Sequence, residues 1–156
     1  MTYTIKTKKS DFSDKCRTFF KNENVLVLGG SGFVGSHAVE QLITLGATPY
    51  VVSRNKISKN LSNVPDKSFR HFKCDINDQN KLAEIMEMCP VVLNLAANVG
   101  GIEYNKSHPA SIFRDNIITF INSIEVARQL SIKRYLVTSS ACVYPRECSI
   151  PTPEVE

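Results

Sequence analysis

Three glycines recur at three-residue spacing in Gly29-Gly30-Ser31-Gly32-Phe33-Val34-Gly35, after an apolar run and before an amphipathic stretch. Glycines so placed suit an anion. The first permits a tight turn, Gly32 lets backbone N–H groups approach a pyrophosphate, and Gly35 lets the following helix pack closely. The helix N-terminus adds its positive dipole end. In this strand–turn–helix setting the spacing points to dinucleotide binding, with a flexible loop as the plain alternative. Gly29, Ser31, Gly32, Phe33 and Val34 are the candidate cofactor residues of this turn. The second apolar run ends in Ser53-Arg54-Asn55, followed by Lys56 and Lys59 and by no acid. An acid at such a strand end binds the ribose 2′-hydroxyl of NAD, whereas an arginine accommodates the 2′-phosphate of NADP. Guanidinium pairs well with phosphate, so Arg54 favours NADP(H). NAD is the alternative, and a solvated basic loop needs no ligand at all. Asp75, in Cys74-Asp75-Ile76-Asn77-Asp78, ends the third run. There a carboxylate can accept from an adenine amino group. Equally, Asp75 can cap a turn and Asp78 the next helix.

Ser140 and Cys142 carry a second kind of chemistry. A thiol titrates near pH 8.5 and can be tuned lower, so it can exchange a proton at a carbon beside a carbonyl. A hydroxyl at a strand end, facing a cofactor crevice, can polarise that carbonyl. The plain reading is that free cysteines are mostly buried and inert, and that Ser139 and Ser140 only terminate a strand.

The elements that must position these groups follow from periodicity. The continuous apolar run 25–28 suits a strand buried on both faces of a parallel sheet. A helix is expected over 33–45, with Val34, Ala38, Leu42 and Leu45 on one face and Gly46 as its stop. Further strands are expected at 50–52, 69–74, 91–95 and 134–138. Helices are expected at 80–88, before Pro90, and at 111–130. In the latter Ile112, Ile117, Phe120, Ile124 and Ala127 lie near one face. This alternation gives a parallel sheet with helices on both sides. Right-handed crossovers leave a Rossmann-type, doubly wound α/β fold of about five strands. Residues 1–24 read as a polar extension with a short helix around 15–21, and residues 25–156 as the dinucleotide-binding domain.

Composition limits the alternatives. The chain of 156 residues is 42% hydrophobic and 22% charged, globular values that exclude disorder, collagen and a coiled coil. The length suits one domain. No apolar run approaches the ~20 residues of a membrane span. The N-terminus lacks the apolar core of a signal peptide. Five cysteines, without C-x-x-C, argue against a disulfide framework or a zinc ribbon. They fit a reducing cytosol, so a cytoplasmic location and no metal are expected. The net charge is +4, with six basic residues clustered in 54–73 against Asp66 alone. A nucleic-acid protein would be more basic and carry a motif. Neither nucleic acid nor membrane is expected as a partner.

Taken in order, the glycine turn, Asp75, Asn94-Leu95-Ala96-Ala97, Asn116-Ile117-Ile118-Thr119 and Ser139-Ser140-Ala141-Cys142-Val143-Tyr144-Pro145 resemble a known family. It is the extended short-chain dehydrogenase/reductases, the NAD-dependent epimerase/dehydratase group, matched over about residues 25–150. Asn98-Val99-Gly100-Gly101-Ile102 and the segment from Ser140 to Pro145 resemble its GDP-L-fucose synthase and GDP-mannose 3,5-epimerase branch. The resemblance implies a Rossmann domain, with a smaller sugar-nucleotide domain built mainly from the C-terminal part. It implies epimerisation of a GDP-hexose, coupled in part to reduction by NADPH. It places Asp75 and Ile76 beside adenine, and Leu95, Ala96 and Ala97 along the ribose and phosphates. It makes Ser140 a hydrogen-bonding partner of the reacting sugar oxygen, Cys142 an acid/base at the sugar carbon, and Asn116 structural.

The family's catalytic tyrosine and lysine form a Y-x-x-x-K. Tyr3, Tyr50, Tyr104, Tyr135 and Tyr144 are followed four residues on by Thr7, Arg54, His108, Ser139 and Cys148. None forms the pair. The expectation is the cofactor-binding N-terminal portion of a longer or split epimerase/reductase, a poor catalyst by itself. The alternative is a non-catalytic dinucleotide-binding or regulatory module, or an inactive fragment. Dimers of the family pack the long helix against one that is missing here. A second copy or a complementing C-terminal chain is therefore the expected protein partner.

Overall fold

The first apolar run forms the centre of the molecule. In the computed structural model, which describes residues 9–55, 61, 64–140, 143–145, 147–149 and 152, Val25 to Leu28 are wholly buried in β1 (Asn24–Leu28). An unbroken run of this kind requires cover on both faces. Alternation along it divides the core. Val25 and Val27 pack with Val39, Leu42 and Val51 on one side. Leu26 and Leu28 pack with Val52, Leu82, Ile85, Met86 and Val126 on the other.

Five parallel strands lie in the order β3-β2-β1-β4-β5. They are β1, β2 (Thr48–Ser53), β3 (Arg70–Lys73), β4 (Val91–Asn94) and β5 (Arg134–Val137). Leu28 stands opposite Val52 on one side and Asn94 on the other. The expected Rossmann-type α/β fold is therefore present, and its order reverses between β1 and β4. Pro49 is tolerated in the interior strand β2. Thr48 N–H bonds to Glu23 O on the β1 side, so position 49 faces the β3 side, where pairing starts only at Tyr50. At the β3 edge Phe72 stacks on Tyr50, with ring centroids 5.5 Å apart, and the Arg70 guanidinium lies 5.3 Å from the Tyr50 centroid.

The helices are α1 (Lys9–Phe20), α2 (Phe33–Thr44), α3 (Gln79–Met86), α4 (Ile102–Ser107) and α5 (Pro109–Gln129). Helix α2 covers one face of the sheet, and α3 and α5 cover the other. Asp78 caps α3 by accepting from Lys81 N–H at 3.2 Å.

Two helix faces differ from expectation. The buried face of α2 is Gly35, Ser36, Val39 and Leu42. Gly35 must lie against the preceding turn, and this rotates Val34 outward to 60% exposure. In α5 the buried residues are Ser123, Val126 and Ala127, whereas Ile117 and Ile124 are exposed. Polar contacts of Asn116 and Ser123 draw that side of the helix inward. Helix α1 is longer than residues 15–21, and Phe20 anchors its end against the core. Helix α4 was not expected, because its six residues bury nothing and so carry no apolar period.

Candidate functional site

Where the strand order reverses, a cavity of about 440 Å³ opens at the C-terminal ends of the strands. Open parallel sheets bind ligands at this position. One wall is the glycine turn. Gly29 has φ +74° and donates its N–H to Val52 O at 3.0 Å. A Cβ on Gly29 would stand 2.8 Å from Ala96 Cα, so the turn after β1 rests directly on the chain leaving β4. A Cβ on Gly35 would meet the Gly29 carbonyl oxygen and come within 2.7 Å of Gly30 Cα. These close approaches hold the start of α2 over the cavity. The N-cap of α2 is Gly32, which has no side chain to cap with, and the first turn of the helix carries no acid. A pyrophosphate fits such a cradle, because its oxygens complement the helix's leading N–H groups.

At the far end of the cavity stand Ser53, Arg54, Asp75 and Ile76. Arg54 is exposed. The Ser53 hydroxyl donates to Asn55 O at 2.8 Å and lies 2.8 Å from His71 Nε2. The hydroxyl hydrogen is committed to Asn55, so His71 donates through Nε2. Burial lowers the His71 pKa and favours this neutral ring. Asp75 Oδ1 accepts from Asn77 N–H at 2.9 Å, so Asp75 does cap a turn while also lining the cavity. Burial raises the pKa of the Cys74 thiol beside it.

The third wall is Leu95, Ala96 and Ala97, faced by α5. Here the structure adds Asp115, which the sequence did not single out, and joins it to Asn98 and Asn116, which the family resemblance had. Asn98 N–H donates to Asn116 Oδ1 at 2.6 Å, and Asn116 Nδ2 returns a bond to Asn98 O at 2.9 Å. Asn98 Nδ2 also reaches Asp115 Oδ2 at 3.2 Å. Arg114 hydrogen bonds hold the Asp115 carboxyl below the usual range, helped by Asn98 and the Arg54 cation. Asp115 thus presents a negative charge to the cavity opposite Arg54. Polar residues at 115, 116 and 119 interrupting an apolar helix were the available signal.

Of the cofactor candidates, Gly29, Ser31, Gly32, Arg54, Asp75, Ile76, Leu95, Ala96 and Ala97 line this one cavity. Phe33 and Val34 do not. They stand exposed on the first turn of α2, where the Phe33 ring packs edge-on against His37. Ser140 follows β5, is exposed and does not line the cavity. Cys142 lies outside the described residues. Among the described residues no three His, Cys, Asp or Glu side chains come together as metal ligands. Among them, too, no helix is long and apolar enough to cross a membrane.

The family model described as "NAD dependent epimerase/dehydratase family" matches residues 25–156. GDP-mannose 3,5-epimerase of Arabidopsis thaliana is 31% identical over 136 residues, covering 86% of this chain and 35% of that protein. GDP-L-fucose synthase 1 of the same plant is 30% identical over 156 residues, covering 99% of this chain and 42% of that one. Among solved structures, the epimerase Mth375 of Methanothermobacter thermautotrophicus superposes with a TM-score of 0.80 at 24% identity, covering 96% and 44% of the two chains. UDP-glucose 4-epimerase from Brucella ovis, in complex with NAD, superposes with a TM-score of 0.70 at 28% identity, covering 86% and 41%. The chain spans about two fifths or less of the length of the curated relatives it matches.

Proposed function

This chain belongs to the NAD dependent epimerase/dehydratase family, and on that premise we propose that its cavity binds NADP(H) as the cofactor site of a nucleotide-sugar epimerase/reductase. The observation that carries the reading is the joining of the α2 start at Gly32, the Arg54 loop and the Leu95–Ala97 segment in one cavity where the strand order reverses. In this reading the backbone around Gly29, Ser31 and Gly32 holds the pyrophosphate, together with the N–H groups of Phe33 and Val34. Asp75 and Ile76 flank adenine. Leu95, Ala96 and Ala97 line the ribose and phosphates. Arg54 takes the 2′-phosphate. A second hollow supports NADP over NAD. It adjoins the first, and Arg54 shares it with Lys73 and Lys81. The two acids there, Asp75 and Asp78, each already accept a backbone N–H.

When bound, the cofactor supplies or withdraws a hydride at the sugar. The chain's own residues do the rest. Ser140 donates a hydrogen bond to the sugar's carbonyl oxygen. Cys142 exchanges a proton on one face of the carbon beside that carbonyl, and inversion of the centre, which involves no net oxidation, further requires a second acid that delivers a proton to the opposite face. The substrate is a GDP-hexose in this reading, supported by the similarity to the GDP-mannose and GDP-fucose enzymes over most of this chain.

Thermal unfolding with saturating NADPH or NADH tests the cofactor site. A ligand at 100 times its Kd adds about 2.7 kcal/mol, or roughly 5–10 °C at this size. The larger shift should come with NADPH and fall to the NADH value in Arg54→Ala. A larger shift with NADH overturns the NADP assignment, and no shift with either overturns the site. In a turnover-competent form of the protein, Cys142→Ser should abolish deuterium uptake from solvent into the GDP-hexose while sparing NADPH binding. Uptake at the wild-type rate removes Cys142 from the chemistry.

A further inference from the structure

Behind the cavity wall lies a polar cluster whose three residues do not line the cavity. Asn94 ends β4, Ser123 sits within α5 and Tyr135 lies on β5. Asn94 is 2% exposed and Ser123 is fully buried. Asn94 Nδ2 lies 3.1 Å from Ser123 Oγ and 2.9 Å from Tyr135 OH, and the two hydroxyls are 2.7 Å apart. Ser123 Oγ also lies 2.9 Å from Thr119 O. The hydrogens can be assigned without remainder. The two amide hydrogens of Asn94 go to Ser123 and Tyr135. Tyr135 donates to Ser123, and Ser123 donates to Thr119 O. Ala96 N–H fixes the orientation of the amide, because it donates to Asn94 Oδ1 at 3.2 Å. A buried network in which every group is satisfied holds one arrangement, and loss of one member leaves the others unpaired at a cost.

The network has two outputs. Through Oδ1, Asn94 holds Ala96, the wall residue on which Gly29 rests. Through its carbonyl oxygen, Asn94 accepts from Thr138 N–H at 3.2 Å, the first residue beyond β5 on the way to Ser140. One residue thus ties the cofactor wall to the segment that carries the proposed catalytic serine. We infer that Asn94, Ser123 and Tyr135 are positioning residues acting as one unit, which sets the Ala96 wall against the glycine turn and fixes the exit of β5. The binding consequence rests on the dinucleotide reading above, and the structural consequence does not.

Tyr135→Phe tests this, because it removes one hydroxyl and keeps the ring. Amide hydrogen exchange is followed at Ala96, Thr138, Val27 and Val51, and NADPH affinity is measured where the variant remains fully folded. The expected result is exchange about tenfold faster at Ala96 and Thr138, with Val27 and Val51 unchanged, and an NADPH Kd raised about tenfold. Ser123→Ala should give the same pattern. The double variant should bind no more weakly than Tyr135→Phe alone, because groups acting as a unit are not additive. Unchanged protection at Ala96, or a uniform loss at all four amides, overturns the inference. So does selective loss of protection with unaltered NADPH affinity. If the wild-type chain binds neither NADPH nor NADH, the proposed function fails and the exchange pattern alone decides this inference. Should Tyr135→Phe fail to fold, Ser123→Ala supplies the same comparison.

Discussion

Two glycines in the same turn meet different constraints. At Gly35 an added Cβ would meet backbone on two sides, at Gly29 O and Gly30 Cα, in an overlap too deep for a small shift to relieve. At Gly32 the one atom near an added Cβ is Gly29 O, 3.2 Å away, which needs to yield by only a few tenths of an ångström. Gly35→Ala should therefore destabilise the chain by about 1–3 kcal/mol, a drop in unfolding midpoint of roughly 3–10 °C. Gly32→Ala should leave the midpoint nearly unchanged and weaken NADPH about tenfold or more, since one charge-assisted hydrogen bond is worth about 1.5–3 kcal/mol. Calorimetry and a fluorescence titration of the two variants separate the roles. Equal effects on stability, or full NADPH affinity in Gly32→Ala, would overturn the division of labour.

At the scale of the element, α5 carries the cavity wall on one side and an ion pair near its end. Arg128 donates to both Glu125 oxygens, at 2.7 and 2.8 Å, and Gln129 adds a third bond at 3.0 Å. These hydrogen bonds, Arg128 first, hold the Glu125 carboxyl at about 2, against an ordinary value of 4.5. The sign follows from linkage. A carboxyl with a depressed folded value contributes stability that is fully present above about 4.5 and is lost as pH falls through about 2. Both side chains are solvent-exposed, so the contribution is small. Glu125→Gln should flatten the dependence of the unfolding midpoint on pH across that window and leave its slope unchanged near neutrality. Identical acid limbs for variant and wild type would remove the pair from the stability of α5.

At the scale of the whole molecule, the outer side of α5 presents Phe113, Ile117, Ile121 and Ile124, all exposed and spaced for one face. Contiguous apolar surface of this kind promotes association. Sedimentation velocity over a concentration series should show self-association that Ile121→Glu suppresses, and a concentration-independent monomer would contradict it. The same helix shows where sequence reading ends. Apolar residues at Ile117, Ile124 and Ala127 announced a helix, but not which side of it was buried. That side was chosen by the Asn98–Asn116 and Asn94–Ser123 bonds, made to residues 18 and 29 positions away. In α2, too, Val34 fitted an apolar period and still faces outward, because Gly35 had to meet the Gly29 carbonyl. Local information sufficed where the constraint itself is local. The unbroken run 25–28 demanded a strand covered on both faces. The glycine spacing pointed to a turn over a helix start, and Asp78 stood where it could cap α3, as it does. From these the parallel sheet, its Rossmann-type order and most of the candidate residues that line the cavity were legible in the sequence by itself. Tertiary structure alone decided the convergence of Arg54, Asp75, Ala96 and Asp115 on one cavity, the outward turn of Phe33 and Val34, and the junction at Asn94. Those depend on distances between strands that are remote in the chain, which periodicity does not encode.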